Sequence, residues 1–485
     1  MEGLSENILK EALTLEQKEA RDAVLDGQNV FITGAAGVGK SHLTNILIQE
    51  LRKKHGTDKV YVTASTGIAA THIGGTTLHS FAGIGIDFSD MNQVMKKAWK
   101  NKGNWTNACA LVIDEISMVS PAFFTALDLV GRRVRKQRDV PFGGIQLVVL
   151  GDFLQLPPID KDFEDRKRKD PSLKRNALFS CKAWEKCIQR TFLLTIVHRQ
   201  KNMEFVHLLN RVRMGTLTPE DGHMLRKRVN ARLSNNGILP TRIYTHKSNV
   251  ENENYIHLNK LTGKEYTYDA RDTGPDEYAL RTLQKNCLAP ATLKLKVDAQ
   301  VMLLKNMEPP LLVNGSRGRV VAFKRIEAQP EEKEYPVIEF ENGEVRTIGP
   351  DEWVTKQADV VRARRNQVPL CLAWALTVHK CQGMTLDKVT LDISRCFAPG
   401  QAYVGLSRCS TLEGLSLLGF NPKNLKADPD ALEFYARLGD TNAKAITQAE
   451  PEAKKARIDP PVSAVAATTA TKTKAPVRHW WEGRI

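Results

Sequence analysis

No stretch of this 485-residue chain is long and apolar enough to read as a membrane span. Its eight cysteines include no C-x-x-C pair, so neither a zinc site nor a disulfide framework is indicated. Reduced core thiols in an intracellular protein are expected. The first residues, MEGLSENILKEAL, carry acids and lack the basic, apolar and small-residue order of a secretory signal. Acidic side chains are in deficit, 55 against 70 Lys and Arg, giving a net charge of +15. That excess favours a polyanionic partner such as nucleic acid, although a basic chain can simply be basic. A hydrophobic share of 42% is ordinary for a soluble globular protein, and the length suffices for two or three domains.

What is present centres on residues 29–41, NVFITGAAGVGKS. An apolar run (Val30, Phe31, Ile32) reads as a buried strand, and the spacing G-x-x-x-x-G-K-S follows it. Backbone N–H groups across Gly34, Ala35, Ala36, Gly37, Val38 and Gly39 can face phosphate oxygens, helped by the helix that Ser41 opens. Lys40 can reach the β- and γ-phosphates of ATP, and the Ser41 hydroxyl can hold Mg²⁺. Upstream, LTLEQKEARDAVLDG reads as a helix with Thr14 as N-cap and Gly27 as stop. Gln17 on that helix is either a solvated residue or an amide reading the adenine edge.

A second strand, Lys59 to Ala64, leads into Ser65-Thr66-Gly67, and Thr77, His79 and Ser80 follow on a tight turn. Such groups suit either a phosphate chain or a plain helix cap. Ala110 to Asp114 is an apolar strand ending in Asp114-Glu115, which would serve the metal and the attacking water respectively. The strand Ile145 to Leu150 ends in GDFLQLPP with Gln155. Strands alternating with helices predict a doubly wound α/β domain whose ligand groups gather at the strands' carboxyl ends.

GAAGVGKS, TASTGIAA, DEISMV, PFGGIQLVVLGDFLQLPP, VHRQ, LTVHKCQGMTLD and GQAYVGLSR occur in one order and spacing. In that respect the chain resembles the Pif-type DNA helicases, relatives of RecD in the B-type branch of helicase superfamily one, from about Thr14 to Phe420. The resemblance implies two RecA-like P-loop NTPase domains, a small wedge insertion and an SH3-like β-barrel insertion. The expected boundaries are 1–175 for the first ATPase domain, with a wedge at 83–107. The second domain is expected at 176–290 and 363–430, interrupted by the barrel at 291–362, with a largely disordered tail at 431–485. The wedge, with MKKAWKNKGNW, either touches nucleic acid or is a solvated charged helix. The β insertion, with its Asn-Gly turns, is either structural support or a lid over DNA.

The resemblance also assigns roles. Arg199 and Arg408 would be arginine fingers from the second domain, and Gln155 would report the γ-phosphate. Thr66, Thr77, His79, His379 and Lys380 would contact single-stranded DNA, and Gly383 would line the ATP site. Cys381 stands where the family usually has Ser, and a thiol is the weaker donor. Translocation is expected to run 5′→3′ on single-stranded DNA, with tailed or forked duplex as substrate. The expected protein is a monomer without DNA, placed in the nucleus or also in mitochondria, with Lys454-Lys455-Ala456-Arg457 as a nuclear-import patch. Two rivals stay open: a phosphotransferase acting on a small acceptor, and a nucleic-acid clamp that hydrolyses ATP without separating strands.

Overall fold

A computed structural model describes residues 13–439 apart from 86–87, 89, 159–175, 234–237, 245–246, 309–310, 313, 327–332, 358–359, 379–380, 382–384, 395 and 397. The chain divides into two compact units, Met1–Ala436 and Arg437–Ile485. No helix among the described residues is long and apolar enough to cross a membrane.

The first fold is a six-stranded parallel sheet. Its strands are β1 (Val30–Gly34), β2 (Val60–Ala64), β3 (Thr76–Thr77), β4 (Ala110–Asp114), β5 (Gln146–Gly151) and β6 (Arg190–Leu194), in the order β3-β2-β4-β5-β1-β6. β1, β2 and β5 are buried along their whole length, as continuous apolar strands covered on both faces should be. The helix Lys40–His55 lays Leu43, Leu47 and Leu51, each fully buried, onto the sheet. Burial of each contributes about 1.5–3 kcal/mol. Its last turn carries Arg52, Lys53, Lys54 and His55, which complement the carboxyl end of the helix dipole. Ahead of β1, Thr14 caps the helix Leu15–Leu25, and Gln17 completes a reciprocal capping box with it.

A second parallel sheet orders Ala375–Thr377, Thr241–Tyr244, Val389–Asp392 and Leu415–Gly419. Between its strands lies an antiparallel sheet of five, ordered Val345–Thr347, Glu334–Phe340, Arg317–Arg325, Gln300–Leu303 and Leu370–Leu372. Its order is linear, so the described residues show an open sheet where a barrel is expected.

Three boundaries move. Strand β6 pairs in parallel with β1 (Val30↔Arg190 to Gly34↔Leu194), so the first fold runs past residue 175. Its hydrogen bonds close the edge of the sheet beside the phosphate loop. The antiparallel sheet includes Leu370–Leu372, and the smaller sheets around it take in Tyr266–Asp269, Arg271–Thr273 and Val360–Gln367, so the insertion's strands extend beyond 291–362 on both sides. The segment expected as tail from 431 starts as a helix beginning at 429, with Tyr435 buried.

Candidate nucleotide site and DNA groove

The phosphate loop follows β1 directly. Gly37 has φ +87°, and a Cβ there would lie 2.7 Å from the Cβ of Arg199, so backbone conformation and space both demand glycine. The Lys40 ammonium donates to Gly34 O (2.8 Å) and Ala35 O (2.9 Å). Burial pushes its pKa down, against the pull of Asp152, Glu115 and Asp114. The Ala36 N–H donates to the Tyr403 hydroxyl at 2.7 Å. Gln17 is buried and bonded at both ends of its amide: Nε2 donates to Val38 O, and Oε1 accepts from Thr14 N. It braces the phosphate loop from the side, a role its surface-helix reading does not contain.

At the end of β4, Asp114 Oδ1 accepts from Glu115 N at 2.8 Å. Burial raises the Asp114 pKa. Glu115 is pushed up to about 7, by burial first and the neighbouring Asp114 charge second. It also sits in the left-handed region at φ +53°, a conformation that costs energy in a residue with a Cβ. Its Oε2 is buried without a hydrogen-bond partner among the described residues.

Facing these groups are the basic ones. Arg408, almost fully buried, donates through Nε to Val404 O (2.9 Å) and through Nη2 to Ser407 Oγ (3.0 Å). Burial lowers its pKa while Glu115 opposes that shift. Arg199 Nη1 donates to Ser407 O at 3.1 Å, and burial and the like charge of Arg408 lower its pKa. Arg199 is expected from the second domain, but the strand that precedes it, β6, belongs to the first sheet. It lies five residues beyond β6, in a connector held on the phosphate loop by the His198 N–H, which donates to Gly37 O at 2.8 Å. Arg408 does come from the second fold, after the helix Gln401–Leu406. That helix starts at Gly400, where φ is +74° and a Cβ would meet Gln155 O at 2.4 Å.

Behind the site, fully buried Asp152 takes a two-pronged ion pair from Arg213 (Nη2 to Oδ1 2.7 Å, Nε to Oδ2 3.0 Å). Burial alone would raise the Asp152 pKa, but the Arg213 charge and its hydrogen bonds hold it below the ordinary value. Gln155 Nε2 joins at 3.2 Å. Asp152, Arg213 and Tyr403 carry no assigned role in the sequence reading. Only Asp152 left a signal, as a lone acid at the end of a buried strand.

The expected DNA residues fall elsewhere on the same rim. Thr66 follows β2 and Thr77 ends β3, paired strands at the sheet edge, and their hydroxyls accept from Ala69 N and Ser80 N as helix caps. His79 stacks on Phe123, ring centroids 4.0 Å apart, and burial lowers its pKa. A cavity of about 500 Å³ opens beside them, lined by Thr76, Ser80, Lys97, Lys100, Asn101 and Arg362. Arg362 Nε has no hydrogen-bond partner among the described residues. In the wedge segment Trp99 is half exposed, whereas Trp105 is buried and donates to Ala82 O. His379, Lys380 and Gly383 lie outside the described residues, as do Lys454 to Arg457.

A Mg²⁺ site would draw on the Ser41 hydroxyl and the Asp114 carboxylate, hard oxygen donors that leave the remaining positions to phosphates and water. Next to Asp114, the buried Glu115 Oε2 has no hydrogen-bond partner among the described residues, an open acceptor position that fits a water on such a cation.

A family model described as PIF1-like helicase matches residues 12–223, and one described as DNA helicase Pif1, 2B domain, matches 279–323. The crystal structure of Pif1 helicase from Candida albicans is 37% identical, with a TM-score of 0.69 over 88% of this chain and 99% of that one. The chain belongs to the PIF1-like helicase family. Bacteroides sp Pif1 in complex with ADP-AlF4 is 30% identical with a TM-score of 0.72, covering 88% of this chain and 97% of its own. The same protein with ADP-AlF3 and ssDNA gives a TM-score of 0.59 at the same coverages. The ATP-dependent DNA helicase PIF1 of Xenopus laevis is 43% identical over 430 residues, 88% of this chain and 64% of the relative's length. This chain therefore spans less than two thirds of that relative. Like its solved neighbours, it has two RecA-like nucleotide folds.

Proposed function

We propose that this chain is an ATP-dependent DNA helicase that moves 5′→3′ on single-stranded DNA and separates tailed or forked duplexes. One observation carries the reading: Glu115, in the acid pair that ends β4 of the first fold, is opposed electrostatically by Arg408 of the second. A phosphotransferase would not need that second basic half.

In the proposed cycle, Lys40 exchanges Gly34 O and Ala35 O for the β- and γ-phosphates, and the freed loop amides take the remaining oxygens. Ser41 and Asp114 would hold Mg²⁺, which when bound would neutralise phosphate charge. Glu115 orients the attacking water, and its raised pKa makes it a proton acceptor near neutral pH. Arg199 and Arg408 leave the carbonyls of Ser407 and Val404 to meet the charge that develops on the transferring phosphoryl group. Such an arginine contributes roughly 10³ to 10⁵ in rate. Gln155 links that event to the Asp152–Arg213 pair, so phosphate state is felt across both folds.

DNA is assigned to the rim beyond β2 and β3, with Thr66, Thr77 and His79, and to the cavity whose Lys97, Lys100 and Arg362 suit backbone phosphates. His379 and Lys380 are proposed as further contacts, and Gly383 as part of the ATP site. A Bacteroides relative's complex with ssDNA supports single-stranded DNA as the partner. So does its lower structural likeness to this chain in that state than in the complex with ADP-AlF4, which is consistent with a DNA-linked rearrangement. The protein is proposed to act as a monomer when free of DNA, in nuclear or mitochondrial genome or telomere maintenance, replication, recombination or repair.

The test is strand displacement on duplexes carrying a 5′ or a 3′ single-stranded tail, with ATP hydrolysis followed in parallel. Unwinding from the 5′ tail is expected. Preference for the 3′ tail would overturn the polarity, and DNA-stimulated hydrolysis without displacement would make the protein a clamp. DNA affinity should also fall about 10³-fold or more between 50 and 200 mM salt if six or more phosphates are contacted.

A further inference from the structure

Tyr435 lies beyond every recognised sequence motif, yet it ends directly behind the nucleotide site. Asp428 caps the helix that carries it, its Oδ1 accepting from Asp430 N (3.0 Å) and Ala431 N (3.2 Å). Pro429 follows, with the fixed φ that suits a first helical position. Two turns on, Phe434 stacks on Phe179 at 4.7 Å and meets Phe153 edge-on at 5.6 Å. This apolar anchor delivers the neighbouring Tyr435 to the floor of the first sheet.

There the phenol oxygen is saturated. It donates to Asp152 Oδ1 at 3.0 Å and accepts from Phe153 N at 3.2 Å. The Thr33 hydroxyl lies 2.5 Å away. A phenol has one proton, and Asp152 takes it, so Thr33 must be the donor in that contact. Arg213 covers the ring, its guanidinium carbon 4.7 Å from the centroid. Thr33 is the residue before Gly34, where the phosphate loop begins. Asp152 and Phe153 open the turn that carries Gln155. One atom therefore joins the ends of β1 and β5 and the carboxylate that binds Arg213.

We propose that Tyr435 is a positioning residue for ATP hydrolysis: its hydroxyl fixes the phosphate loop relative to the Asp152–Gln155 turn. The proposal rests on the reading of the site as an ATPase. Losing the hydroxyl removes no atom that touches nucleotide. It leaves three buried polar groups short of a partner and lets the two strand ends drift apart. Small misplacements of this kind reduce turnover far more than binding.

The experiment uses the full chain with saturating single-stranded DNA. Tyr435→Phe keeps the ring, so its DNA affinity should stay close to wild type, while the polar groups left short of a partner lower its melting temperature by a few degrees. Its kcat is expected to fall roughly tenfold while KM for ATP changes less than about twofold. Thr33→Val removes the same bond from the other side, and the double variant should be no slower than Tyr435→Phe alone, within about twofold. Phe434→Leu weakens the anchor but keeps the hydroxyl, and should lower the melting temperature while slowing kcat per folded molecule much less than Tyr435→Phe does. The proposal is overturned by a Tyr435→Phe kcat within twofold of wild type, by multiplying effects in the double variant, or by a Phe434→Leu enzyme that loses as much turnover. A wild-type chain lacking DNA-stimulated hydrolysis sinks the ATPase reading itself, an outcome visible before any variant is compared.

Discussion

The two halves of the nucleotide cleft are built on different principles. The acidic half sits at the ends of β1, β4 and β5, where register with neighbouring strands fixes each side chain. It stores unfavourable energy: Glu115 is strained, lacks a partner for Oε2 and is hard to ionise beside Asp114. The basic half sits on a connector and after a short helix, and its arginines rest on backbone carbonyls and a hydroxyl. Those contacts are replaceable without repacking a core. One half is rigid and waits for charge; the other is parked and can move to meet it. The proposed motor would use that asymmetry, since its catalysis would depend on the arrangement of the domains and not on nucleotide binding alone.

The sharpest way to break the comparison is on the rigid side. Lys40→Ala should cut ATP turnover by about 10² to 10³ while sparing most DNA binding; retained hydrolysis in a steady-state assay would remove the loop from the site. Next is the clasp between the halves. Arg213→Ala leaves Asp152 buried and unpaired, which should cost about 3–5 kcal/mol in a urea titration. A loss under 1 kcal/mol would mean that Asp152 finds another partner.

The stored energy makes an opposite prediction. Glu115 has its folded pKa raised from 4.5 to about 7, so its charge penalises the fold increasingly as pH rises between those values. Glu115→Gln should therefore abolish hydrolysis yet stabilise the nucleotide-free protein by about 1–3 kcal/mol at pH 8, with little gain at pH 4.5. Destabilisation at pH 8 would contradict the account. The smallest effect belongs to Tyr403→Phe. It removes a hydroxyl that the Ala36 amide must give up when phosphate arrives, so ATP should bind about two- to tenfold more tightly by calorimetry. Weaker binding would show that Tyr403 supports the occupied loop.

The contrast between the halves also explains what could be read before the fold was known. Strand β1 and the loop are contiguous, Asp114 and Glu115 are neighbours at the end of an apolar run, and the chemistry of each follows from local pattern and spacing. Thr14 and Gly27 likewise mark a helix that forms as expected. Arg199 and Arg408 had to be taken from resemblance, because a single arginine has no local signature. Even then, the source of Arg199 was misplaced, since the pairing of β6 with β1 is a long-range event. Arg213 reads as one more charge on an amphipathic helix, and its partner lies 61 residues away. Tyr435 is the extreme case: its meaning depends on a contact with Thr33 across 402 residues, in a stretch whose composition resembles a tail.

The most direct test is to compare nucleotide binding with single-turnover hydrolysis in Arg408→Ala, with and without single-stranded DNA. The account predicts ATP affinity within about threefold of wild type and a hydrolysis rate lower by roughly 10³ or more, with DNA unable to restore it. Hydrolysis within tenfold of wild type, or a loss explained by failure to bind ATP, would contradict the claim that the second fold completes the site.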